Sequence, residues 1–250
     1  MVELPSAPSR RLLLAGLAGA GLVSAAGAGT PAAAATGSRT GSHADGLTDW
    51  PDLPDEAHHS LDRLVAGNRR FLGGHTRHPN QSVRWAASLA SGQHPFATVL
   101  GCVDSRVPVE IVTDQGVGDL FPARTAGHVL DDAVLGSLEY GVEHLKIPLL
   151  IVLGHESCGA VTAAIETVDA GGRADGAIQY LVDAIRPSVL ATEKIADPKA
   201  RVDATVRAHA RATAKQLTKV SKIIREAVHA GELGIVAARY DLDRLALTPA

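Results

Sequence analysis

Residues 147–159 read Ile-Pro-Leu-Leu-Ile-Val-Leu-Gly-His-Glu-Ser-Cys-Gly, an apolar run that ends in a histidine and a cysteine. Such a run is typical of a strand that is buried on both faces of a parallel sheet. We predict a strand over 147–154 and a helix over 159–168, with His155 and Cys158 at i and i+3 on one face of the first helical turn. A strand that passes directly into a helix is the repeating unit of an α/β fold.

A second stretch, residues 96–106, reads Phe-Ala-Thr-Val-Leu-Gly-Cys-Val-Asp-Ser-Arg and predicts a buried strand over 96–103. Alternate side chains of an extended backbone share a face, so we expect Cys102, Asp104 and Arg106 to point the same way. Ligands of α/β sheets gather at the carboxyl ends of the strands. The two stretches therefore predict one site.

Two thiolates and an imidazole are suitable ligands for zinc, so Cys102, His155 and Cys158 predict a three-ligand site with a fourth position for water or a carboxylate. Because both cysteines of the chain are in this set, the alternative is a structural disulfide. A disulfide, however, requires no histidine, carboxylate or guanidinium nearby. Two thiolates also neutralise the ion, so its water is less acidic than on a three-histidine site.

Asp104 has two possible roles at such a site. It can accept a hydrogen bond from the zinc-bound nucleophile and fix the direction of its lone pair, or it can bind the metal as a fourth ligand. Arg106 would keep Asp104 ionised through a bidentate contact. The alternative interpretation of Asp104 and Arg106 is an ordinary buried ion pair.

The remaining hydrophobic pattern predicts alternating strands and helices. We expect helices at 56–72, 82–90, 129–145, 178–185 (ended by Pro187) and 200–230, a helical turn within 107–118, strands at 119–123 and within 231–242, and a loop at 124–128. The fold class that follows is α/β, with a mainly parallel central sheet flanked by helices. Residues 55–250 form a single catalytic domain with an N-terminal helical arm.

The first 54 residues differ from the rest in composition. Residues 1–35 contain Arg10-Arg11, an apolar run and a small-residue end, which predicts a cleaved export signal of the twin-arginine type rather than a membrane anchor. An ordinary secretory signal is the alternative. Residues 36–54 are rich in Gly, Ser and Thr and are interpreted as a linker. The protein is expected outside the cytoplasm.

Composition narrows the class of partner. Hydrophobic residues make up 46% of the chain but aromatics only 3%, so the core must consist of Ala, Val, Leu and Ile. The net charge is −3 and no basic cluster is present in the sequence, which argues against nucleic acid as a partner. The substrate is expected to be a small molecule.

Together, the Cys102-x-Asp104-Ser105-Arg106 and His155-x-x-Cys158-Gly159 motifs resemble the β-class carbonic anhydrases. This resemblance covers roughly residues 55–243. It implies that Cys102, His155 and Cys158 hold one zinc ion per subunit, and that the Asp/Arg pair assists reversible hydration of carbon dioxide to bicarbonate and a proton. It also implies a homodimer or a tetramer with the N-terminal helices lying across the partner subunit.

The same resemblance implies substrate-binding roles for residues outside the two motifs. Gln93 matches a glutamine that donates a hydrogen bond to bicarbonate, and Phe121 and Tyr140 match the apolar lining of the CO2 pocket. Backbone N–H groups near Cys158 and Gly159 are expected to stabilise the developing anion. The family's Asn-x-x-Asn is replaced here by Thr125 and His128, for which a proton-shuttle role and a plain loop role both remain open. Rival functions are hydrolysis of carbonyl sulfide or carbon disulfide, and non-catalytic zinc binding.

Overall fold

The structure is a computed structural model that describes residues 50–250. The predicted signal at 1–35, and residues 36–49 of the predicted linker, lie outside the described residues. The elements in chain order are α1 (Asp55–Leu72), α2 (Val83–Ser88), β1 (Ala97–Cys102), α3 (Val109–Val112), β2 (Leu120–Thr125), a 3-10 turn (Ala126–His128), α4 (Asp132–Glu143), β3 (Leu149–His155), α5 (Gly159–Asp169), α6 (Ile178–Ala191), α7 (Pro198–Val220), α8 (Lys222–His229), β4 (Gly234–Tyr240) and β5 (Leu247–Pro249).

A five-stranded sheet in the order β2-β1-β3-β4-β5 forms the centre of the described chain. The first four strands are parallel, and only β5 pairs antiparallel, against β4. The predicted α/β class with a mainly parallel sheet flanked by helices is therefore confirmed. The short edge strand β5 was not predicted, because three residues are too few to show a period.

The continuous apolar runs of β1 and β3 are explained by burial on both faces. In β3, Leu149, Ile151 and Leu153 pack with residues of α1 and α3 on one side of the sheet. Leu150 and Val152 pack on the other side with residues of α4, α7 and α8. All residues of β1 and β3 are buried.

Two helix predictions are wrong. Pro187 lies inside α6 instead of ending it. Val182, Ile185 and Val189 of that helix are buried, and we attribute the tolerated proline to this packing, because an interior proline costs about 3 kcal/mol. The predicted helix 200–230 is two helices, α7 and α8, separated at Ser221.

Ser221 breaks the helix because its side chain has two better partners. Its hydroxyl accepts a hydrogen bond from Ile224 N at 3.1 Å, which makes it the N-cap of α8, and donates one to Glu139 of α4 at 2.6 Å. A serine that caps a new helix competes with continuation of the old one. The predicted helix 129–145 is shorter than expected, since α4 begins at Asp132 after a cap by Asp131.

The strand ends place the candidate ligands. Cys102 is the last residue of β1, and His155 is the last residue of the neighbouring strand β3. Residues 124 and 125, expected in a loop, belong to β2, because Thr125 lies in register beside Cys102. The carboxyl ends of β1, β2 and β3 thus lie side by side.

Within the described part of the chain, none of the helices has the length and apolar character needed to cross a membrane.

Candidate metal centre

The first candidate ligand, Cys102, is held by the neighbouring strand β2 and by the 3-10 turn that follows it. Its sulfur accepts a hydrogen bond from Gly127 N at 3.3 Å, and its carbonyl accepts one from Arg124 Nε at 2.7 Å. Arg124 Nη2 also donates to the carbonyl of Asp104 at 2.7 Å. The same arginine therefore holds the backbone on both sides of Val103, a contact that no local sequence pattern predicts.

The second ligand, His155, is completely buried at the end of β3. Its Nδ1 lies 2.9 Å from the carbonyl oxygen of Glu156. A carbonyl can only accept, so Nδ1 carries the proton and Nε2 keeps a free lone pair. Nε2 is buried and has no hydrogen-bond partner, which fits an atom that binds a metal.

The third ligand, Cys158, is the N-cap residue of α5 and is fully buried. The expectation that His155 and Cys158 share the first turn of a helix is wrong, because α5 begins only at Gly159. They are brought together by a turn in which Ser157 has φ of 52°. The sulfur of Cys158 faces the backbone N–H groups of Ala160 and Val161, which favour the thiolate.

The three ligand atoms form a compact group. Cys102 Sγ, His155 Nε2 or Nδ1, and Cys158 Sγ all lie within 4.8 Å of one another. Ligands on a tetrahedral zinc ion at 2.0–2.3 Å are about 3.5 Å apart, so the spacing fits. The donor set, one imidazole and two sulfurs, also suits zinc better than a hard cation. Both cysteines are free, so no disulfide competes with this assignment.

The two thiols influence each other's protonation. A hydrogen bond from the Cys158 thiol is the main cause that lowers the pKa of Cys102 to about 4. The same contact, together with burial, raises the pKa of Cys158. The metal-free pair therefore holds one proton between two sulfurs at neutral pH, and a bound metal ion would displace it.

Asp104 and Arg106 form a bidentate ion pair at the rim of this group. Arg106 Nε donates to Asp104 Oδ1 at 2.9 Å and Nη2 to Oδ2 at 2.7 Å. These hydrogen bonds are the largest cause of the strongly lowered pKa of Asp104. Asp104 Oδ2 is 3.8 Å from His155 Nε2, so an ionised carboxylate lies directly beside the ligands.

Asp104 lies in a turn after β1 and not on the strand, which differs from the prediction. Because β1 ends at Cys102, Asp104 and Arg106 do not share a strand face with it. They lie in a turn in which Val107 N donates to the carbonyl of Asp104 at 3.1 Å. Arg106 Nη2 also donates to the carbonyl of Ser157 at 3.3 Å, which joins this turn to the other one.

The predicted substrate residues are divided between two places. Gly159 directly follows Cys158 at the start of α5. Phe121 pairs with Thr98 in the sheet, four residues or about 13 Å before the end of β1, and Tyr140 packs on it with ring centroids 6.5 Å apart. Gln93 is exposed in the loop before β1, and so precedes the amino-terminal end of that strand, whereas the ligands lie at the carboxyl ends of the strands. Within one chain, therefore, only Gly159 lies beside the ligands, and Gln93, Phe121 and Tyr140 do not.

His128 lies behind the site rather than at its rim. It is completely buried, neither ring nitrogen has a hydrogen-bond partner, and its ring is 4.7 Å from that of His209. Burial holds the pKa of His128 well below its usual value. A neutral imidazole that fills space is the state that these surroundings favour.

Besides Arg124, two residues near the site were missed in the sequence. Glu156 is buried between two ligands, although a charged residue after a strand usually indicates a surface loop. His209 could have been found, because it lies on the buried stripe of α7 with Thr205, Val206 and Thr213 at helical spacing.

Comparison with known proteins agrees with the fold and the site. The family model described as carbonic anhydrase matches residues 97–246. Carbonic anhydrase 2 of Mycobacterium tuberculosis is 47% identical over 180 residues, which is 72% of this chain and 86% of that protein. A carbonic anhydrase of Mycolicibacterium smegmatis is 46% identical over 179 residues, with coverage of 72% and 86%.

Solved structures support the same architecture. A tetrameric β-carbonic anhydrase from Sordaria macrospora superposes with a TM-score of 0.60 at 24% identity, over 77% of this chain and 95% of that one. At this identity the likeness concerns the fold alone. The sequence matches go further, and with them the chain belongs to the β-class carbonic anhydrase family and is an enzyme of the carbonate dehydratase type.

Proposed function

We propose that the protein catalyses the zinc-dependent, reversible hydration of carbon dioxide to bicarbonate and a proton. The observation that carries this proposal is the group formed by Cys102, His155 and Cys158, with an ionised carboxylate 3.8 Å from the free imidazole nitrogen. The reaction is the general one of the family to which the chain belongs.

The metal would be held by Cys102 Sγ, His155 Nε2 and Cys158 Sγ, one ion per subunit. Bound there, zinc would lower the pKa of a coordinated water and so supply a nucleophile near neutral pH. The side chains of this chain decide how well that nucleophile is aimed.

Asp104 is proposed to aim it. Both of its oxygens accept hydrogen bonds from Arg106, which keeps the carboxylate charged and directed. As an acceptor, Asp104 would take a hydrogen bond from the attacking water and turn its lone pair toward the carbon of CO2. Oxygen then bonds to carbon, one C=O bond becomes a C–O single bond, and the released proton passes to buffer.

The start of α5 is suited to the developing negative charge. Gly159 is exposed, and a Cβ added there would meet no other atom within 4 Å, so its backbone is open to a small anion. Helix N-termini favour anions through their free N–H groups. We propose that bicarbonate forms beside this terminus.

The predicted CO2 pocket requires a second subunit. Gln93, Phe121 and Tyr140 lie far from the ligands of their own chain, and Tyr140 is 48% exposed. We propose a homodimer or tetramer in which these residues line the site of the partner copy. The tetrameric relative from Sordaria macrospora supports an oligomer.

Export through the twin-arginine route is proposed from residues 1–35. Replacing Arg10 and Arg11 by lysine should retain the protein in the cytoplasm if that route is used. Continued export of the double variant would favour the ordinary secretory signal, and N-terminal sequencing of exported wild-type protein locates the cleavage point.

The decisive test combines zinc analysis with stopped-flow hydration. Wild-type protein should contain one zinc per chain and hydrate CO2 far faster than the buffer. Carbonyl sulfide and carbon disulfide serve as competing substrates in the same assay, and faster turnover of either one would replace the proposed substrate. Bound zinc without turnover of any of the three would establish a non-catalytic zinc protein.

A further inference from the structure

Glu156, which lies between two metal ligands, is itself buried, with 8% of its surface exposed. Its Oε2 accepts hydrogen bonds from Leu242 N at 3.0 Å and Asp243 N at 3.2 Å, just beyond the end of β4. Its own backbone N donates to Tyr240 O at 2.9 Å. Glu156 is thus attached to the same short segment through both side chain and backbone.

Two cationic groups complete the surroundings of this carboxylate, and one of them, Lys199 Nζ, lies 3.5 Å from Glu156 Oε1. Arg239 Nη2 lies 3.8 Å from Glu156 Oε2, and the Arg239 side chain is only 7% exposed. The guanidinium also pairs with Asp203 of α7 and with Asp241, at 2.9 Å from the latter. A buried carboxylate that is paired and hydrogen-bonded is strongly held, because loss of one partner leaves the other uncompensated.

The backbone of Glu156 is also what orients His155. The Glu156 carbonyl accepts the Nδ1–H of His155 at 2.9 Å, and this bond directs Nε2 toward the two sulfurs. Any rotation of the 156 peptide would move the acceptor away from the imidazole. The side chain of the same residue is hydrogen-bonded to the 242–243 backbone.

We propose that Glu156 is a positioning residue of the metal centre: its side chain, held by the 242–243 backbone and Arg239, fixes the peptide that orients His155. Partners around a metal-ligating histidine commonly affect metal affinity by about 10–100-fold. The inference rests on zinc at the site, as proposed above. It adds a residue to which the family resemblance gave no role.

Glu156→Gln tests this positioning role, because glutamine has nearly the same shape as glutamate. The amide removes the charge that faces Arg239 and Lys199, while its one oxygen can still accept from both backbone donors, as Oε2 does in the wild type. We expect the affinity for zinc, measured by competition with a chromogenic chelator, to fall about tenfold. The visible spectrum of the cobalt-substituted protein should also change, because the imidazole is less firmly directed.

Asp114→Asn is the matched control. Asp114 is also a buried carboxylate, which accepts bonds from Arg77 N, His78 N and Arg70 Nε, and it lies outside the metal centre. We expect it to lower the unfolding temperature like Glu156→Gln, yet to leave zinc affinity and the cobalt spectrum unchanged. If the two variants agreed in both metal readouts, Glu156 would be a stability element only and the inference would be overturned.

Arg239→Lys provides a second route if Glu156→Gln does not fold. Lysine keeps the positive charge but lacks the several N–H donors with which the guanidinium pairs with Glu156, Asp203 and Asp241. We therefore expect zinc affinity to fall, but by less than in Glu156→Gln. Unchanged zinc affinity and an unchanged cobalt spectrum in this variant would also contradict the proposed positioning role of Glu156. Failure of wild-type protein to bind zinc would instead contradict the proposed function, so the two failures are distinguishable.

Discussion

The two turns that carry the metal ligands differ in burial and in how they are held. The turn after β3 is buried at both ligands, His155 and Cys158, and is anchored to β4 through Glu156. The turn after β1 is open: the Asp104 side chain is 16% exposed and that of Arg106 is 53% exposed. It is anchored to β2 through the side chain of Arg124, which donates to the backbone carbonyls of Cys102 and Asp104.

This difference suggests a division of work between the turns. A buried, braced turn keeps its ligands in one geometry and suits metal binding. An open turn with an ionised carboxylate suits contact with substrate and solvent. Cys102 joins both tasks, because it is a buried ligand at the base of the open turn. The experiments below are chosen to break or sharpen this contrast.

The largest effect is expected from removing a ligand of the buried turn. Cys158→Ser replaces a thiolate by a neutral hydroxyl, so zinc affinity should fall on the order of a hundredfold or more, with loss of hydration activity. Asp104→Asn, in the open turn, should retain stoichiometric zinc while hydration slows on the order of a hundredfold. Zinc content by mass spectrometry and stopped-flow rates measure both.

Loss of zinc from Asp104→Asn would contradict the contrast and make Asp104 a fourth ligand. A wild-type rate in that variant would remove Asp104 from the mechanism altogether.

Acid should lower the free energy of unfolding through His209, which lies behind the open turn. Burial lowers the pKa of His209, next to the Gly127 backbone, from 6.5 to about 4. The unfolded chain therefore binds more protons between pH 6.5 and 4, and stability present above pH 6.5 is lost as the pH falls, by roughly 3 kcal/mol in total. Urea unfolding at several pH values should show this slope.

His209→Gln should flatten that pH dependence relative to wild type. His229→Gln, at an exposed position in α8, is the control and should leave the slope unchanged. Any effect of acid on zinc binding is expected to be the same in both variants and in the wild type, so the difference in slope isolates His209. An equal slope in all three proteins would contradict the assignment.

Arg124→Gln should weaken the open turn itself. The substitution deprives two carbonyls, those of Cys102 and Asp104, of charge-assisted hydrogen bonds, and we expect a loss of about 2 kcal/mol in the free energy of unfolding. Hydration should slow more than zinc affinity falls, because Asp104 is displaced. Arg186→Gln, which removes an arginine that pairs with Asp183 of its own helix at 3.7 Å, is the comparison, and equal stability of the two variants would be the contrary result.

The last comparison concerns protons released on zinc binding, where the two turns are expected to differ by a single proton. The raised pKa of Cys158 keeps one proton on the sulfur pair, so zinc affinity should rise about tenfold per pH unit, or about 1.4 kcal/mol, between pH 5 and 8. The lowered pKa of Asp104 means that the open turn releases none. Calorimetry in two buffers counts the protons.

Asp104→Asn should show the same proton release as wild type. A difference of one proton would mean that the open turn also titrates on metal binding.

The central strands and the ligand set could be predicted from the sequence because their signals are local. Continuous apolar runs identified β1 and β3, and the ligands follow directly from where those strands end. Helix boundaries were less predictable. Ser221 caps a new helix through Ile224 N and also donates to Glu139 of α4, a tertiary contact that no local pattern shows. Pro187 stays within α6, and we attribute this to the packing of the buried face of that helix.

The sequence by itself determined the fold class and the meeting of the three candidate ligands with the Asp104–Arg106 pair, because side chains that follow neighbouring parallel strands gather where those strands end. Only the tertiary structure decided how the ligands are oriented. Arg124 and Glu156 act on backbone groups 20 and 86 residues away, and no local pattern encodes such contacts. Their physical basis is burial: an enclosed charge must find partners, and the fold alone determines which ones are near.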